Sequence, residues 1–316
     1  FSLLLFRCFL TCPCNCTLPH LLIMQSGRLS QFTRLLSTTQ RRLADIEVSE
    51  ASPYVFHVKL NRPKKRNTFT IDLWKESRRI FDELSVNPKC RTIVISGEGK
   101  SFCAGIDLQE GFGPLMEMYE SDKLDAARKG RILREFIQPC QDGYTAIERC
   151  YKPVIAAIHS HCIGAGIDLI TACDIRLAAK DAVFSIKEVD VGLAADVGTL
   201  ARIQKIVAND SITRELAMTA RNFTADEALS YGLISRILPD QAATVAAALE
   251  MAASIAAKSP IAVQGTKVNL NYGRNHTVAE SLEYIKAWNM SQLNSEDLIK
   301  SAMAAMTKET AEFNDV

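Results

Sequence analysis

Two short turns rich in small residues are the part of the sequence best suited to chemistry. The first spans residues 101–108 (SFCAGIDL) and the second spans residues 161–169 (HCIGAGIDL). Each follows an apolar run typical of a buried strand, and small residues let a ligand approach the backbone closely. The second turn also begins a predicted helix, whose first N–H groups have no partners within the helix. Brought together, the turns could hold a developing oxyanion between two N–H groups; equally, they could be tight turns without a ligand.

Three acidic residues accompany these turns. Asp168 lies in the first turn of the predicted helix, and Glu188 and Asp196 follow in an otherwise apolar stretch. Burial of a carboxylate among Val, Leu and Ala raises its pKa. Two neighbouring carboxyl groups titrate as a pair, so that one can act as an acid and the other as a base near neutral pH. The alternative is structural: Asp196 caps a helix over 197–207, and Glu188 pairs with Lys187 or an arginine.

Segments with strand and helix patterns alternate along the chain and would position these residues. The predicted strands are Tyr54–Leu60, Thr92–Ser96, Val154–Ile158, Ile175–Ala178 and Ala182–Ser185. The predicted helices are Asp72–Leu84 and Ala165–Ala172, and the polar stretch 114–149 is also helix-prone. This alternation indicates an α/β fold with helices packed on the sheets.

Beyond about residue 210 the pattern becomes helical. Thr224 with Glu227 and Thr277 with Glu280 form capping boxes, and Pro260 suits the first turn of a helix. We therefore predict an α/β core over 45–240 and a helical C-terminal subdomain over 241–316. An apolar face of this subdomain is expected to pack on the core or on a neighbouring subunit; it comprises Leu282, Ile285, Trp288, Met290 and Leu293.

Residues 1–44 differ in composition from the rest of the chain. They contain five Arg and no Asp or Glu, so with an overall net charge of +1 the remaining residues carry −4. From Met24 onward, Arg and Ser accompany Leu and Phe at helical spacing, which is typical of a mitochondrial presequence; a basic arm that binds nucleic acid is the alternative. We predict an extension and presequence over 1–44, with Met24 as the natural start. The absence of an SKL-type signal at the C-terminus favours the mitochondrial matrix over the peroxisome.

Composition also argues against several classes of partner. The 37 basic and 36 acidic residues create no global field for nucleic acid or an anionic membrane. The apolar runs of the extension are too short to span a bilayer. Four of the ten Cys lie in the extension, and the other six are scattered without paired spacing, so we expect free buried thiols and no metal site.

Three motifs carry a resemblance to a known family. Residues 102–108 (FCAGIDL), 152–176 (KPVIAAIHSHCIGAGIDLITACDIR) and 184–203 (FSIKEVDVGLAADVGTLARI) resemble the crotonase (enoyl-CoA hydratase/isomerase) superfamily. The third motif, with 258–270 (KSPIAVQGTKVNL), is most similar to the branch that isomerises 3,5-dienoyl-CoA to 2,4-dienoyl-CoA. The resemblance implies a spiral of β-β-α units with a helical C-terminal trimerisation region. It also implies an acyl-CoA thioester substrate, no cofactor beyond the CoA of that substrate, and assembly as a trimer or a dimer of trimers.

The resemblance also assigns roles to individual residues. The N–H groups of Ile106 and Ala165 would form the oxyanion hole for the thioester carbonyl. Ala165 stands where the family usually has Gly, which should be harmless because only its backbone N–H is used. The adenine and phosphates of CoA would lie near Lys64, Lys65, Arg66 and Ala104.

The acids distinguish branches of the family. Hydratases carry Glu at the positions of both Asp168 and Glu188, and commonly Gly at the position of Asp196. The resemblance implies that Glu188 acts at carbon 2 and Asp196 at carbon 6, while Asp168 supports the electrostatics, in the breakdown of unsaturated fatty acids. The alternatives are an enoyl-CoA hydratase or 3,2-enoyl-CoA isomerase, and a non-catalytic RNA-binding or scaffold protein.

Overall fold

Two β-sheets form the centre of the fold in this computed structural model, which describes residues 45–120 and 124–316. Its strands are β1 (Ile46–Ser52), β2 (Val55–Leu60), β3 (Thr92–Gly97), β4 (Val154–Ile158), β5 (His161–Ile163), β6 (Ile175–Ala179), β7 (Val183–Ser185), β8 (Phe223–Thr224) and β9 (Arg236–Leu238). The larger sheet has the order β1-β2-β3-β4-β6-β9 and is parallel except for the antiparallel pair β1 and β2. The smaller sheet has the order β5-β7-β8. The five predicted strands are confirmed to within one residue at each end.

Helices connect these strands and follow them. They are α1 (Ile71–Ser85), α2 (Leu108–Glu120), α3 (Ala126–Arg149), α4 (Ala165–Ala172), α5 (Thr199–Arg202), α6 (Asp210–Thr219), α7 (Ala225–Ser230), α8 (Gln241–Ala256), α9 (Pro260–Gly273), α10 (Val278–Gln292) and α11 (Glu296–Thr307). Both predicted capping boxes are present, at the starts of α7 and α10, and Pro260 is the first residue of α9. The observed architecture is the predicted α/β fold with a helical C-terminal region. The boundary at residue 240 stays a prediction.

Both faces of the larger sheet are covered by helices. On one face, Val58, Ile95 and Ala156 belong to a large apolar cluster that includes residues of α1, α3 and α4. On the other, Val94 and Ile155 pack against the alanines of α8. A parallel sheet buried in this way needs apolar residues at nearly every position, which explains why its inner strands, unlike β1 and β9 at its edges, are recognisable in the sequence.

The C-terminal helices carry apolar side chains that the isolated chain leaves exposed. Leu282, Met290 and Leu293 are each at least 60% exposed, and Ile285 is 38% exposed. Of the two expected alternatives, packing on the core is therefore wrong for these four, and packing on a neighbouring subunit stays a prediction. Trp288 is half-buried and lies against Gly265.

The N-terminal extension and the cysteines were the subject of further predictions. The presequence, the start at Met24 and the cysteines at 8, 12, 14 and 16 lie outside the described residues. The six cysteines at 90, 103, 140, 150, 162 and 173 are free and buried, as predicted. In the described part of the chain no single helix is long and apolar enough to cross a membrane. The helices α8 and α9, which are bent by 111° relative to each other, reach the required length and apolar composition only when taken together.

Candidate active site

The two predicted turns lie side by side. In the first turn, the backbone N–H of Cys103 donates to the carbonyl of His161 (3.0 Å), and the N–H of Ile163 donates to the carbonyl of Cys103 (3.0 Å). Cys103 thereby forms a parallel bridge with Cys162 in β5. The backbone itself therefore joins the first turn to the strand that leads into the second.

The N–H of Ile106 faces away from its neighbouring segment. The N–H of Phe69 donates to the carbonyl of Gly105 (2.9 Å), and the N–H of Asp107 donates to the carbonyl of Phe69 (2.8 Å). Successive backbone groups of an extended segment point to opposite sides. With Gly105 and Asp107 both bonded to Phe69, the N–H of Ile106 points to the other side.

The second turn carries an N–H group of its own close to the first turn. Gly164 is the N-cap of α4, with φ +49°, and Ala165 is the first helical residue, whose N–H has no acceptor within the helix. A β-carbon on Gly164 would lie 3.9 Å from the Cα of Gly105 and 3.3 Å from Oε1 of Glu188. A side chain would therefore fill the space where the two turns and an acid meet.

Glu188 is placed there by a short 3₁₀ helix over Glu188–Val191, which ends at Gly192 in the left-handed conformation. Its Oε2 is buried and has no hydrogen-bond partner among the residues that the structure describes. Burial, and then the negative charge of Asp168, raise the pKa of Glu188 to about 7. Lys187 pairs with Asp190 instead (2.6 Å), so the alternative of a structural ion pair for Glu188 is wrong.

Asp168 lies on α4 and is 2% exposed. Its Oδ1 accepts hydrogen bonds from the backbone N–H (2.6 Å) and the hydroxyl (2.7 Å) of Thr199. Burial raises its pKa to about 6, and the bonds from Thr199 and the charge of Arg202 oppose that rise. Asp168 is thus a buried carboxyl group whose ionised form is stabilised by Thr199 and Arg202.

Asp196 is the most exposed of the three acids. Its backbone carbonyl accepts a hydrogen bond from the side-chain amide of Gln141 on α3 (2.6 Å). Burial raises its pKa, and its charge in turn raises the pKa of Glu188 and of Asp168. It does not cap the following helix, because Gly198 is the N-cap of α5 and no side-chain bond caps that helix. The predicted helix over 197–207 is instead α5 followed by a 3₁₀ turn over Ile203–Lys205.

The residues expected near CoA lie next to the first turn or, in the case of Ala104, within it. Lys64 and Lys65 belong to an exposed 3₁₀ helix over Pro63–Lys65, which ends at Arg66. The N–H of Ala104 donates to the carbonyl of Arg66 (3.0 Å). Lys65 Nζ lies 3.5 Å from Oδ2 of Asp107. The structure thus places a basic surface segment beside the turn that carries Ile106.

Sequence reasoning missed Thr199, Arg202 and Gln141, which contact or influence the acids. Thr199 and Arg202 fall within the motif 184–203, but nothing in their spacing signals a partner 31 residues away at Asp168. In residues 45–120 and 124–316 there is no group of three or more His, Cys, Asp or Glu that could hold a metal ion.

Comparison with known proteins matches residues 50–315 to the enoyl-CoA hydratase/isomerase family. This chain belongs to that family. It is 51% identical over 271 residues to a human protein named Delta(3,5)-Delta(2,4)-dienoyl-CoA isomerase, mitochondrial, covering 86% of this chain and 81% of the relative. It is 42% identical to a protein from Arabidopsis thaliana named Delta(3,5)-Delta(2,4)-dienoyl-CoA isomerase, peroxisomal, covering 82% of this chain and 92% of the relative.

Solved structures agree with the family fold. The crystal structure of an enoyl-CoA hydratase from Bacillus anthracis superposes with a TM-score of 0.77 at 26% identity, over 86% of this chain and 99% of that one. An enoyl-CoA hydratase/isomerase family protein from Hyphomonas neptunium gives a TM-score of 0.76 at 28% identity, over 86% and 98%. The predicted crotonase-like architecture is confirmed.

Proposed function

We propose that this protein converts 3,5-dienoyl-CoA to 2,4-dienoyl-CoA in the oxidation of unsaturated fatty acids. The observation that carries the proposal is the position of Glu188 where the two turns meet, with the charges of Asp168 and Asp196 acting on it. Burial raises the pKa of all three, and that of Glu188 to about 7, which suits a group that takes up and releases a proton near neutral pH. Relatives at about half identity bear the name of this activity.

The reaction needs a proton removed at carbon 2 and one added at carbon 6. Glu188 takes the proton from carbon 2, and the electron pair left behind moves onto the thioester oxygen. The N–H groups of Ile106 and Ala165 stabilise that oxyanion. As the carbonyl re-forms, carbon 6 takes a proton from Asp196, and the double bonds then lie at carbons 2 and 4. Glu188 ends protonated and Asp196 ionised, and exchange with water restores both.

The same geometry supports the remaining roles. Lys64, Lys65 and Arg66 lie on the segment beside the first turn, and with Ala104 of that turn they bind the adenine and phosphates of CoA. The reaction moves only protons and double bonds, so it uses no cofactor besides the CoA that the substrate carries. We place the protein in the mitochondrion, where its human and mouse relatives are named to reside.

We also propose that the protein assembles as a trimer or a dimer of trimers. The exposed apolar side chains of α10 and α11 support this, because a monomer rarely leaves many large apolar residues in water. Analytical ultracentrifugation of the purified protein tests it, and a monomer at micromolar concentration contradicts it.

The activity is tested with a purified 3,5-dienoyl-CoA, by following the absorbance of the conjugated 2,4-dienoyl product. Rapid product formation is expected. The competing function is hydration, for which hydratases use two Glu at the positions of Asp168 and Glu188. Fast water addition to a 2-enoyl-CoA without dienoyl turnover would identify a hydratase, and RNA binding with no turnover of either substrate would identify a non-catalytic member.

A further inference from the structure

Thr199 holds Asp168 from a different element of the fold. It is the first residue of α5, and both its backbone N–H and its hydroxyl donate to Oδ1 of Asp168, at 2.6 and 2.7 Å. Thr199 is fully buried, so water does not compete for either bond. Hydrogen bonds donated to a carboxylate favour its ionised form and fix its orientation.

Arg202 adds a positive charge near the same carboxylate. Its charge lowers the pKa of Asp168, against the effect of burial. The guanidinium is fixed by Glu148 (2.9 Å) and by the hydroxyl of Thr145 (3.1 Å) on α3. Gly198, with φ +147°, makes room for it, since a β-carbon there would collide with Nη1 of Arg202. The start of α5 therefore brings a pair of donors and a cation towards one buried acid.

We propose that Thr199 is a positioning residue for the proposed isomerase: it keeps Asp168 ionised beside Glu188 and thereby sets the lowest pH at which Glu188 can be the base for carbon 2. The inference rests on the proposed function for its role in turnover. The electrostatic link does not depend on turnover: it consists of the two bonds from Thr199 to Asp168 and the effect of the charge of Asp168 on Glu188.

Other groups around the two acids leave this link intact. The titratable and charged groups are Asp196, Arg202, Cys103, Cys140, Cys162 and Tyr144. Burial raises the pKa of the three thiols and of the phenol, so all four are neutral in the working range. Lys187, next to Glu188 in the chain, is engaged by Asp190. Among the described residues that act on the two acids, the charges that remain are those of Asp196 and of Arg202, the latter paired with Glu148.

Loss of the Thr199 hydroxyl should therefore move the pH profile in a defined direction. Asp168 would bind a proton more readily, its negative charge would be lost, and the pKa of Glu188 would fall. In Thr199→Val, which has nearly the same shape, the acid limb of kcat/KM should shift to lower pH by about one unit. Thr199→Ser, which keeps a hydroxyl, should restore the wild-type limb.

Matched variants separate this effect from a loss of packing. Thr244→Val makes the same change at another buried threonine, whose hydroxyl donates to the carbonyl of Asp240, and should leave the limb in place. Asp168→Asn should shift the limb in the same direction as Thr199→Val, and adding Thr199→Val to it should cause no further shift. An unmoved limb in Thr199→Val or in Asp168→Asn overturns the proposal, as does an equal shift in Thr244→Val.

A titration that needs no turnover distinguishes this proposal from the proposed function. The ¹³C chemical shift of the Glu188 carboxyl carbon, assigned with Glu188→Gln, should titrate at a lower pH in Thr199→Val than in the wild type. A shifted titration without dienoyl turnover would remove the isomerase assignment and keep the link. An unshifted titration in an active isomerase would remove the link alone.

Discussion

Oε1 of Glu188 lies 3.3 Å from the point at which a β-carbon on Gly164 would sit. Gly164 also has φ +49°, in the region that favours glycine. One residue without a side chain thus allows both the turn that presents the N–H of Ala165 and the close approach of the acid.

Gly164→Ala should therefore lower both kcat and the free energy of unfolding. The new methyl group displaces the Glu188 carboxylate and strains the backbone, at a cost of about 1–3 kcal/mol. Dienoyl turnover should fall by at least about tenfold, which corresponds to 1.4 kcal/mol in the barrier. Gly130→Ala on α3 is the matched control, because a β-carbon there meets nothing within 4 Å. Equal turnover in both variants contradicts the proposed placement of Glu188.

Asp196→Asn should abolish most isomerisation while the protein still binds CoA esters. The amide cannot donate the proton that carbon 6 requires, and general acid catalysis typically contributes about 10²–10⁴-fold. The dissociation constant of a non-reacting acyl-CoA should remain within about threefold, because the proposed oxyanion donors belong to the main chain. Near-normal turnover removes Asp196 from the mechanism.

The rate should depend on pH through Glu188. A base must be ionised, and burial and Asp168 raise the pKa of Glu188 to about 7. We expect kcat/KM to fall as the pH decreases through this value. A limb near the ordinary pKa of a glutamate, 4.5, would mean that Glu188 is not the base. The measurement is a profile of kcat/KM from about pH 4 to about pH 9, in steps of about half a unit, at constant ionic strength.

The same raised pKa has a consequence for stability. The folded state binds the Glu188 proton more tightly than the unfolded state does, so this group's contribution to stability is lost as the pH rises from about 4.5 to about 7. Glu188→Gln has no such loss. Its free energy of unfolding relative to wild type should increase by about 1–3 kcal/mol between pH 5.5 and pH 8. Urea denaturation at the two pH values measures this, and a constant difference contradicts it.

Reversing one charge of the basic segment should weaken substrate binding without affecting the chemistry. Lys64→Glu places a negative charge where the CoA phosphates are expected, so KM should rise about three- to tenfold while kcat changes little. Lys89→Glu, an exposed change between α1 and β3, is the control and should leave KM unaltered. Steady-state kinetics at low ionic strength give both constants.

The buried strands of the fold were predictable because their side chains are apolar on both faces. β4 and α4 were predicted with the observed bounds, whereas β1 was missed because most of its residues are polar and exposed. The two-residue β8 and three-residue β9 are too short to carry a periodic pattern.

The candidate site was predictable in its residues and not in its contacts. Small residues, N–H-rich turns and acids in apolar sequence drew attention to Gly164, Glu188 and Asp196. The bond between Thr199 and Asp168 joins positions 31 apart and depends on how α5 packs against α4. Lys187 likewise forms its ion pair with Asp190 rather than with Glu188 because of the 3₁₀ helix that begins at Glu188.

The backbone bridge between Cys103 and Cys162 holds the two turns together by main-chain bonds alone. The site therefore has a main-chain part and a separate side-chain part. The proposed anion-binding amides of Ile106 and Ala165 belong to the main chain of two paired segments, whereas each acid comes from a separate segment. Such a pair of N–H groups could bind the thioester carbonyl in several reactions, and the surrounding carboxyl groups would determine which reaction occurs. Replacing Asp168 and Asp196 by other residues should accordingly change the reaction of a bound acyl chain and leave the backbone of the two turns unchanged.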